Sequence, residues 1–237
     1  MDFFNQKYFY FILLAASLFL PLASSFEKKI QYHKKWTALF LSILVMMLIH
    51  VPIDVLFNKI GIWSFNKDFV SGPHIAGLPI EEWLFFVIIP FCCVFIYESV
   101  EYFLAPLRAS AKNYYATLIA GVTLIIFAIV CYKNIYTSVY CSLAGITMIL
   151  IYLYRPVWWR RFQIMYLFAL IPFVIVNGFL TGSYTAEPIV SYNANHILGI
   201  RIINIPIEDT VYCFEILVTV VAFYEYRLAK RFSIKNN

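Results

Sequence analysis

The sequence has few charged residues and lacks the short motifs of most soluble enzymes. Only 13% of its 237 residues are charged, where a soluble domain carries roughly 25%, and 62% are hydrophobic. The eight glycines never occur as Gly-X-Gly, which excludes a dinucleotide-binding fingerprint, and neither a P-loop nor a Gly-X-Ser-X-Gly motif is present. The mean hydropathy of +0.79 indicates an integral membrane protein.

Cysteine and histidine patterns exclude two further kinds of site. The five cysteines lie in or beside apolar runs and form no Cys-X-X-Cys pair, so we interpret them as small packing residues. No His-X-X-X-His or His-Glu-X-X-His spacing occurs. We therefore expect no metal and no cofactor. The last apolar segment contains no lysine, which argues against a retinal-binding protein.

Seven apolar segments are long enough to cross a bilayer, for which about 30 Å of hydrocarbon requires roughly 20 helical residues. They cover approximately residues 8–26, 36–57, 80–104, 114–132, 136–154, 163–181 and 206–228. The predicted fold class is therefore an all-α polytopic membrane protein with seven transmembrane helices.

Basic residues predict the orientation of these helices. If the amino terminus lies outside, 13 of the 18 lysines and arginines fall on the inner side. We therefore predict a multi-pass protein of the cell membrane with its carboxyl terminus in the cytoplasm.

Two four-residue motifs are repeated at the start of apolar segments. Pro79-Ile80-Glu81-Glu82 opens the third segment, and Pro206-Ile207-Glu208-Asp209 opens the seventh. A Tyr-Glu pair closes each segment, at Tyr97-Glu98 and Tyr224-Glu225, and we interpret both pairs as interfacial belt residues. Segments one to three match segments five to seven, and the fourth restores a parallel orientation. This 3+1+3 pattern predicts repeats at 1–104 and 136–237, joined by a linking helix at 105–135.

The paired carboxylates have a structural and a catalytic interpretation. Acidic residues in a first helical turn stabilise the helix dipole, and this explains one pair adequately. It does not explain a duplicated motif near hydrocarbon, so we favour catalysis by Glu81, Glu82, Glu208 and Asp209. Neighbouring carboxylates in such a place repel each other, and at least one is expected to keep a proton that a general acid can donate.

Other polar residues are candidates for a supporting role. Glu215 lies two turns after Glu208 on the same face, and a direct role and a structural hydrogen bond remain equally open. His50 and Asp54 are four residues apart and can touch, and they would form either a proton relay or an interhelical polar contact, which we favour. The remaining candidates are Asn177, which corresponds to Asp54, and the loop histidines His74 and His196, which we place at corresponding positions before the two motifs.

The two longest loops and the aromatic residues complete this picture. Loops 58–78 and 182–205 are expected to fold over the carboxylates as a cap. Some of the nearby aromatic rings would stabilise a carbocation through their faces, with Trp83, Phe85, Phe86 and Tyr212 as the candidates.

The paired motifs, the matched three-segment halves and the linking segment resemble the fused form of the non-flavin, heterodimer-type lycopene cyclases. The resemblance covers nearly the whole chain. It implies a lycopene beta-cyclase, an intramolecular lyase of the isomerase class in carotenoid biosynthesis, with its catalytic carboxylates at Glu81, Glu82, Glu208 and Asp209. The implied partners are membrane lipid and an apolar carotenoid that enters from the lipid, with association with other carotenoid enzymes left open and no nucleic acid.

Three alternatives remain at this stage. A transporter of the 3+1+3 type also has parallel halves, but the chain has no Pro-Gln dipeptide, and its carboxylates lie near one interface instead of the midplane. A prenyltransferase requires spaced aspartate motifs, and a scaffold requires no acidic pair. The sequence also leaves open which carboxyl is the acid and which the base.

Overall fold

The apolar segments fold into long helices, because a backbone in hydrocarbon must satisfy its own hydrogen bonds. The computed structural model describes residues 7–104 and 107–235, and these residues form seven α-helices. The helices are α1 (Phe9–Ser24), α2 (Trp36–Lys59), α3 (Ile80–Leu104), α4 (Ala111–Val130), α5 (Ile135–Tyr154), α6 (Trp159–Leu180) and α7 (Glu208–Lys235). The all-α membrane fold is thus confirmed. Residues 1–6, 105–106 and 236–237, which the predicted repeats and linker include, lie outside the described residues.

Five of these helices, α2 to α6, are long and apolar enough to cross a membrane. Helix α1 is apolar but has only 16 residues. Helix α7 is longer, but it contains the carboxylates Glu208, Asp209, Glu215 and Glu225. Seven helices are present where seven segments were predicted, whereas the orientation of the termini stays a prediction.

The third helix of each predicted repeat lies at the centre of the bundle. Helix α1 packs on α3 and α5 packs on α7, whereas α2 packs mainly on α7 and α6 mainly on α3. The middle helix of each set of three therefore packs against the other set. This exchange supports the 3+1+3 interpretation, which itself stays a prediction, and it brings the two motif-bearing helices together.

Helix α4 packs against α5 through two glycines. A Cβ atom on Gly145 would lie 2.8 Å from the carbonyl oxygen of Gly121, so only glycine permits this approach of the two backbones. Small residues at such a contact are typical of membrane helix pairs. The linking helix is therefore fixed to the first helix of the second set.

The described residues also form six short strands, which lie at one end of the bundle. They are β1 (Trp63–Phe65), β2 (His74–Ile75), β3 (Leu78–Pro79), β4 (Val190–Tyr192), β5 (Arg201–Ile202) and β6 (Ile205–Pro206). Strands β1 and β4 pair antiparallel with Ser64 opposite Ser191, and this pairing joins the two long loops. Strands β2 and β3 form one hairpin, and β5 and β6 form another.

The hairpins show that the two loop histidines do not occupy corresponding positions. His74 pairs with Pro79 in the first hairpin, and the residue that pairs with Pro206 in the second is Arg201. His196 lies earlier, in a short 3-10 turn. The two histidines therefore occupy different positions, and matching them through their similar neighbours was wrong.

The opposite end of the bundle is closed by the two Tyr-Glu pairs. Tyr97 donates to Glu225 (2.7 Å) and Tyr224 donates to Glu98 (2.8 Å). Both tyrosines are fully buried. Interpreting these pairs as interfacial belt residues was therefore wrong, since they tie α3 to α7.

Candidate functional site

A cavity of about 740 Å³ lies between the two sets of helices and contains one carboxyl group from each motif. Glu82 comes from the first turn of α3 and Asp209 from the first turn of α7. Both side chains are buried, at 7% and 3% exposure. Two helix starts that are 127 residues apart in the sequence thus contribute to a single site.

Each of these two carboxyls accepts a hydrogen bond from a buried tyrosine near the start of an apolar helix. The Tyr10 hydroxyl donates to Oε2 of Glu82 (2.7 Å), and the Tyr136 hydroxyl donates to Oδ1 of Asp209 (2.7 Å). Tyr10 belongs to α1 and Tyr136 to α5, the matching helices of the two predicted repeats. The duplicated motif therefore produces a duplicated Tyr-carboxyl pair.

A third tyrosine contacts only one of the two carboxyls, so the two Tyr-carboxyl pairs are not equivalent. The Tyr192 hydroxyl, on β4, donates to Oδ2 of Asp209 (2.9 Å), so both oxygens of this carboxyl accept a hydroxyl. Burial and the neighbouring Asp209 raise the pKa of Tyr192 well above its usual value, so its hydroxyl keeps the proton that it donates.

The first carboxylate of each motif points away from the cavity and toward a loop. Glu81 accepts the backbone N–H of Ser71, and Glu208 accepts that of Leu198, both at 2.7 Å. Thr137 also donates to Glu208 (2.7 Å). Neither Glu81 nor Glu208 lines the cavity. These two residues anchor the long loops to the helix starts, and the loops contact the carboxylates as expected.

Helical geometry explains this division, because consecutive residues on a helix point about 100° apart. In each acidic pair the second residue faces the cavity and the first faces the loop, and the sequence alone did not indicate which one.

Asp54 and Asn177 also line the cavity. The carboxyl of Asp54 lies beside the hydroxyl of Tyr212, which lines the same space. These residues of α2 and α6 were matched in the sequence, and the structure brings both to the site.

Other supporting candidates lie outside the cavity lining. Within the described residues no hydrogen bond joins His50 and Asp54. Nε2 of His50 lies 3.4 Å from the Thr219 hydroxyl on α7, which is the interhelical polar contact of the two alternatives. Glu215 accepts a hydrogen bond from Thr147 (3.3 Å).

The two loop histidines also lie away from the cavity. His74 is exposed, and its Nδ1 lies 2.6 Å from the Gly72 carbonyl oxygen. His196 is half-buried in its short turn. Neither is among the residues that line the cavity.

The rest of the cavity is apolar and aromatic. Phe85 and Tyr212 line it, as expected for rings near the carboxyls, together with Trp63 and Phe65 of β1. Trp83 and Phe86 do not: the indole of Trp83 donates to the Ile75 carbonyl, and Phe86 is buried in the core. The described lining residues include no lysine, arginine or histidine.

From the carboxyls the cavity extends between α1 and α6. Ala16, Leu20 and Pro21 line one side, and Pro172 and Ile175 line the other. Leu20 and Ile175 are also 69% and 52% exposed, so the cavity reaches the lipid-facing surface of the bundle.

The three tyrosines were not among the candidates drawn from the sequence. A signal for two of them exists in retrospect: Tyr10 precedes Glu82 by 72 residues and Tyr136 precedes Asp209 by 73. Tyr192 has no comparable signal, because its position depends on the pairing of two loops.

A comparison with protein families finds a match to the model described as lycopene cyclase, over residues 7–100 and 133–227. The two matched segments cover most of the chain and leave out the region of α4. No curated protein matches the chain, and no solved structure does.

Proposed function

Because this chain belongs to the lycopene cyclase family, we propose that it is a lycopene beta-cyclase, which closes the linear ends of lycopene into β-ionone rings. Family membership makes the protein a carotenoid cyclase of the membrane. The proposal adds the ring type, the reaction steps and the residues that carry them.

One observation supports the proposal most directly: Glu82 and Asp209 face the same apolar cavity, which has no basic residue in its described lining. Two carboxylates in such surroundings repel each other and lose hydration, so the pair holds a proton. A carboxylic acid and a carboxylate in one apolar site are the groups that an acid-base isomerisation requires.

The reaction moves protons without net electron transfer. A carboxylic acid protonates the terminal double bond of the linear end and leaves a tertiary cation. The electron pair of the next suitable double bond attacks this cation and forms the ring bond. A carboxylate then removes a ring proton, which restores a double bond, so the product is an isomer of the substrate and the site regains its proton.

The walls of the cavity suit the cationic intermediate. The rings of Trp63, Phe85 and Tyr212 line the cavity close to the carboxyls, and ring faces attract a cation where water is excluded. Since the cavity also reaches the surface between Leu20 and Ile175, we propose that the carotenoid enters there from the lipid. The unreacted part of the polyene then lies between α1 and α6.

The proposal is tested by expressing the full chain in a bacterial host that accumulates lycopene and analysing the pigments. Cyclic carotenoids are expected with the wild-type chain, and the Glu82→Gln variant is expected to lose at least about 100-fold of this activity, as removal of a general acid does. Asp68→Asn, which removes an exposed carboxylate of the loop 58–78 that precedes α3, is the matched control. Only linear pigment in cells whose membranes contain the wild-type chain would refute the proposal.

A further inference from the structure

We infer that the two motif carboxyls in the cavity have opposite roles: Glu82 donates the proton that starts the reaction, and Asp209 accepts the proton that ends it. We further infer that Tyr192 is the positioning residue that fixes this direction. Both inferences rest on the proposed function, which requires one acid and one base but does not assign them.

The hydrogen bonds of the two carboxyls differ in number. Both oxygens of Asp209 accept a hydroxyl, from Tyr136 and from Tyr192. Within the described residues, Glu82 accepts only the Tyr10 hydroxyl, at Oε2. Hydrogen bonds donated to a carboxylate favour its charged form. Asp209 is therefore the better-stabilised anion, whereas Oε1 of Glu82 remains free to carry a proton.

The difference originates in the pairing of β1 with β4. Trp63 lies opposite Tyr192 and Phe65 opposite Val190, with Ser64 and Ser191 at the centre. A two-fold axis through this centre would exchange Phe65 with Tyr192. Phe65 also lines the cavity, but it has no hydroxyl to donate to Glu82. One aromatic position thus distinguishes the two otherwise matched carboxyls.

The assignment balances over one turnover. Glu82 transfers a proton to the less substituted carbon of the terminal double bond, which leaves the tertiary cation, and becomes a carboxylate. The ring carbon loses its proton to Asp209, which becomes a carboxylic acid. Transfer of that proton from Asp209 to Glu82 then restores the starting state, with no other reactant.

The two roles predict different products when each group is removed. Without the acid no cation forms, so Glu82→Gln is expected to return unchanged linear carotenoid. Without the base the cation still forms, but it loses a proton from another carbon or captures water. Asp209→Asn is therefore expected to give rings with a displaced double bond or a hydroxyl group, at a total conversion lowered by at least about 100-fold.

The positioning residue is tested by a matched pair of substitutions at the two strand positions. Tyr192→Phe removes one donor from Asp209 and is expected to lower conversion about 10-fold, with an increased fraction of displaced or hydroxylated rings. Phe65→Tyr offers Glu82 a second donor and is expected to lower conversion without changing the product ratio. A loss of fold alone would lower the amount of protein and leave the ratio unchanged.

The experiment compares the wild type and these four variants of the full chain in lycopene-accumulating cells, with membrane levels measured by immunoblot. The assignment is supported if Asp209→Asn or Tyr192→Phe forms rings with a displaced double bond and neither Glu82→Gln nor Phe65→Tyr does. The assignment is overturned, and the proposed function left intact, by either of two results. One is rings with a displaced double bond from Glu82→Gln; the other is an unchanged ratio of altered to normal rings in both Asp209→Asn and Tyr192→Phe. If Asp209→Asn does not accumulate, the Tyr192→Phe ratio decides. A wild type that forms no rings overturns both proposals.

Discussion

The hydroxyl of Tyr97, on α3, donates a hydrogen bond of 2.7 Å to the carboxyl of Glu225, on α7. The reverse bond runs from Tyr224 to Glu98, and the two tyrosine rings meet edge to face at 6.4 Å. Lys35 also pairs with Glu98, and Arg161 pairs with Glu225. The central helices are thus tied together at the end of the bundle opposite the site.

These reciprocal bonds predict a structural effect without a catalytic one. Replacing Tyr97 and Tyr224 together by phenylalanine removes two hydrogen bonds to carboxyls that keep their basic partners. We expect a loss of about 1 to 3 kcal/mol in the free energy of unfolding for each bond, partly offset where the carboxyl reaches solvent. Thermal unfolding in detergent measures the loss.

Tyr226→Phe is the control for this variant, because Tyr226 is 61% exposed on the same helix. In the double variant, the ratio of the cyclic products and the amount of cyclic pigment per amount of protein should both stay at their wild-type values. An altered product ratio would show that this end of the bundle acts on the reaction.

The two glutamates of the first motif, Glu81 and Glu82, are expected to differ in their response to the same substitution. In Glu81→Gln the amide oxygen still accepts the Ser71 N–H, so we expect most of the activity to remain, whereas Glu82→Gln loses at least about 100-fold. Glu81→Ala removes the acceptor and should lower the amount of folded protein. Pigment analysis normalised to membrane level separates these effects, and equal losses from both glutamine variants would contradict the division of roles.

The sequence predicted the helices and the motifs more completely than the site. Helices follow from apolar length, which is a local property, and the matched motifs are visible at fixed spacing. The choice of Glu82 over Glu81 depends on the rotation of α3 about its axis, and the position of Tyr192 depends on the pairing of two loops that are more than 100 residues apart. Both are tertiary properties, so no local pattern contains them.

The opening between α1 and α6 predicts an effect of side-chain size on substrate access. Ala16 is exposed and lines the cavity, whereas its neighbour Ala15 is exposed without lining it. Ala16→Trp is therefore expected to lower cyclisation of lycopene by about 10-fold or more, since a bulky ring in the channel costs a long polyene about 1 to 3 kcal/mol. Ala15→Trp should leave conversion unchanged. Equal conversion by both variants, measured as cyclic pigment per amount of protein, would exclude this opening as the route.

The origin of the site in two sets of helices predicts the behaviour of the separated halves. Tyr10 and Glu82 come from the predicted repeat 1–104, and Tyr136, Tyr192 and Asp209 come from 136–237. Each half alone has one motif carboxyl in the cavity, and its central helix lacks the helix from the other half that packs against it. We expect polypeptides divided within 105–110, before α4, to form no rings singly and to form them when coexpressed, as pigment analysis would detect. Ring formation by one half alone would contradict a shared site, because neither half contains both of the motif carboxyls to which the two roles are assigned.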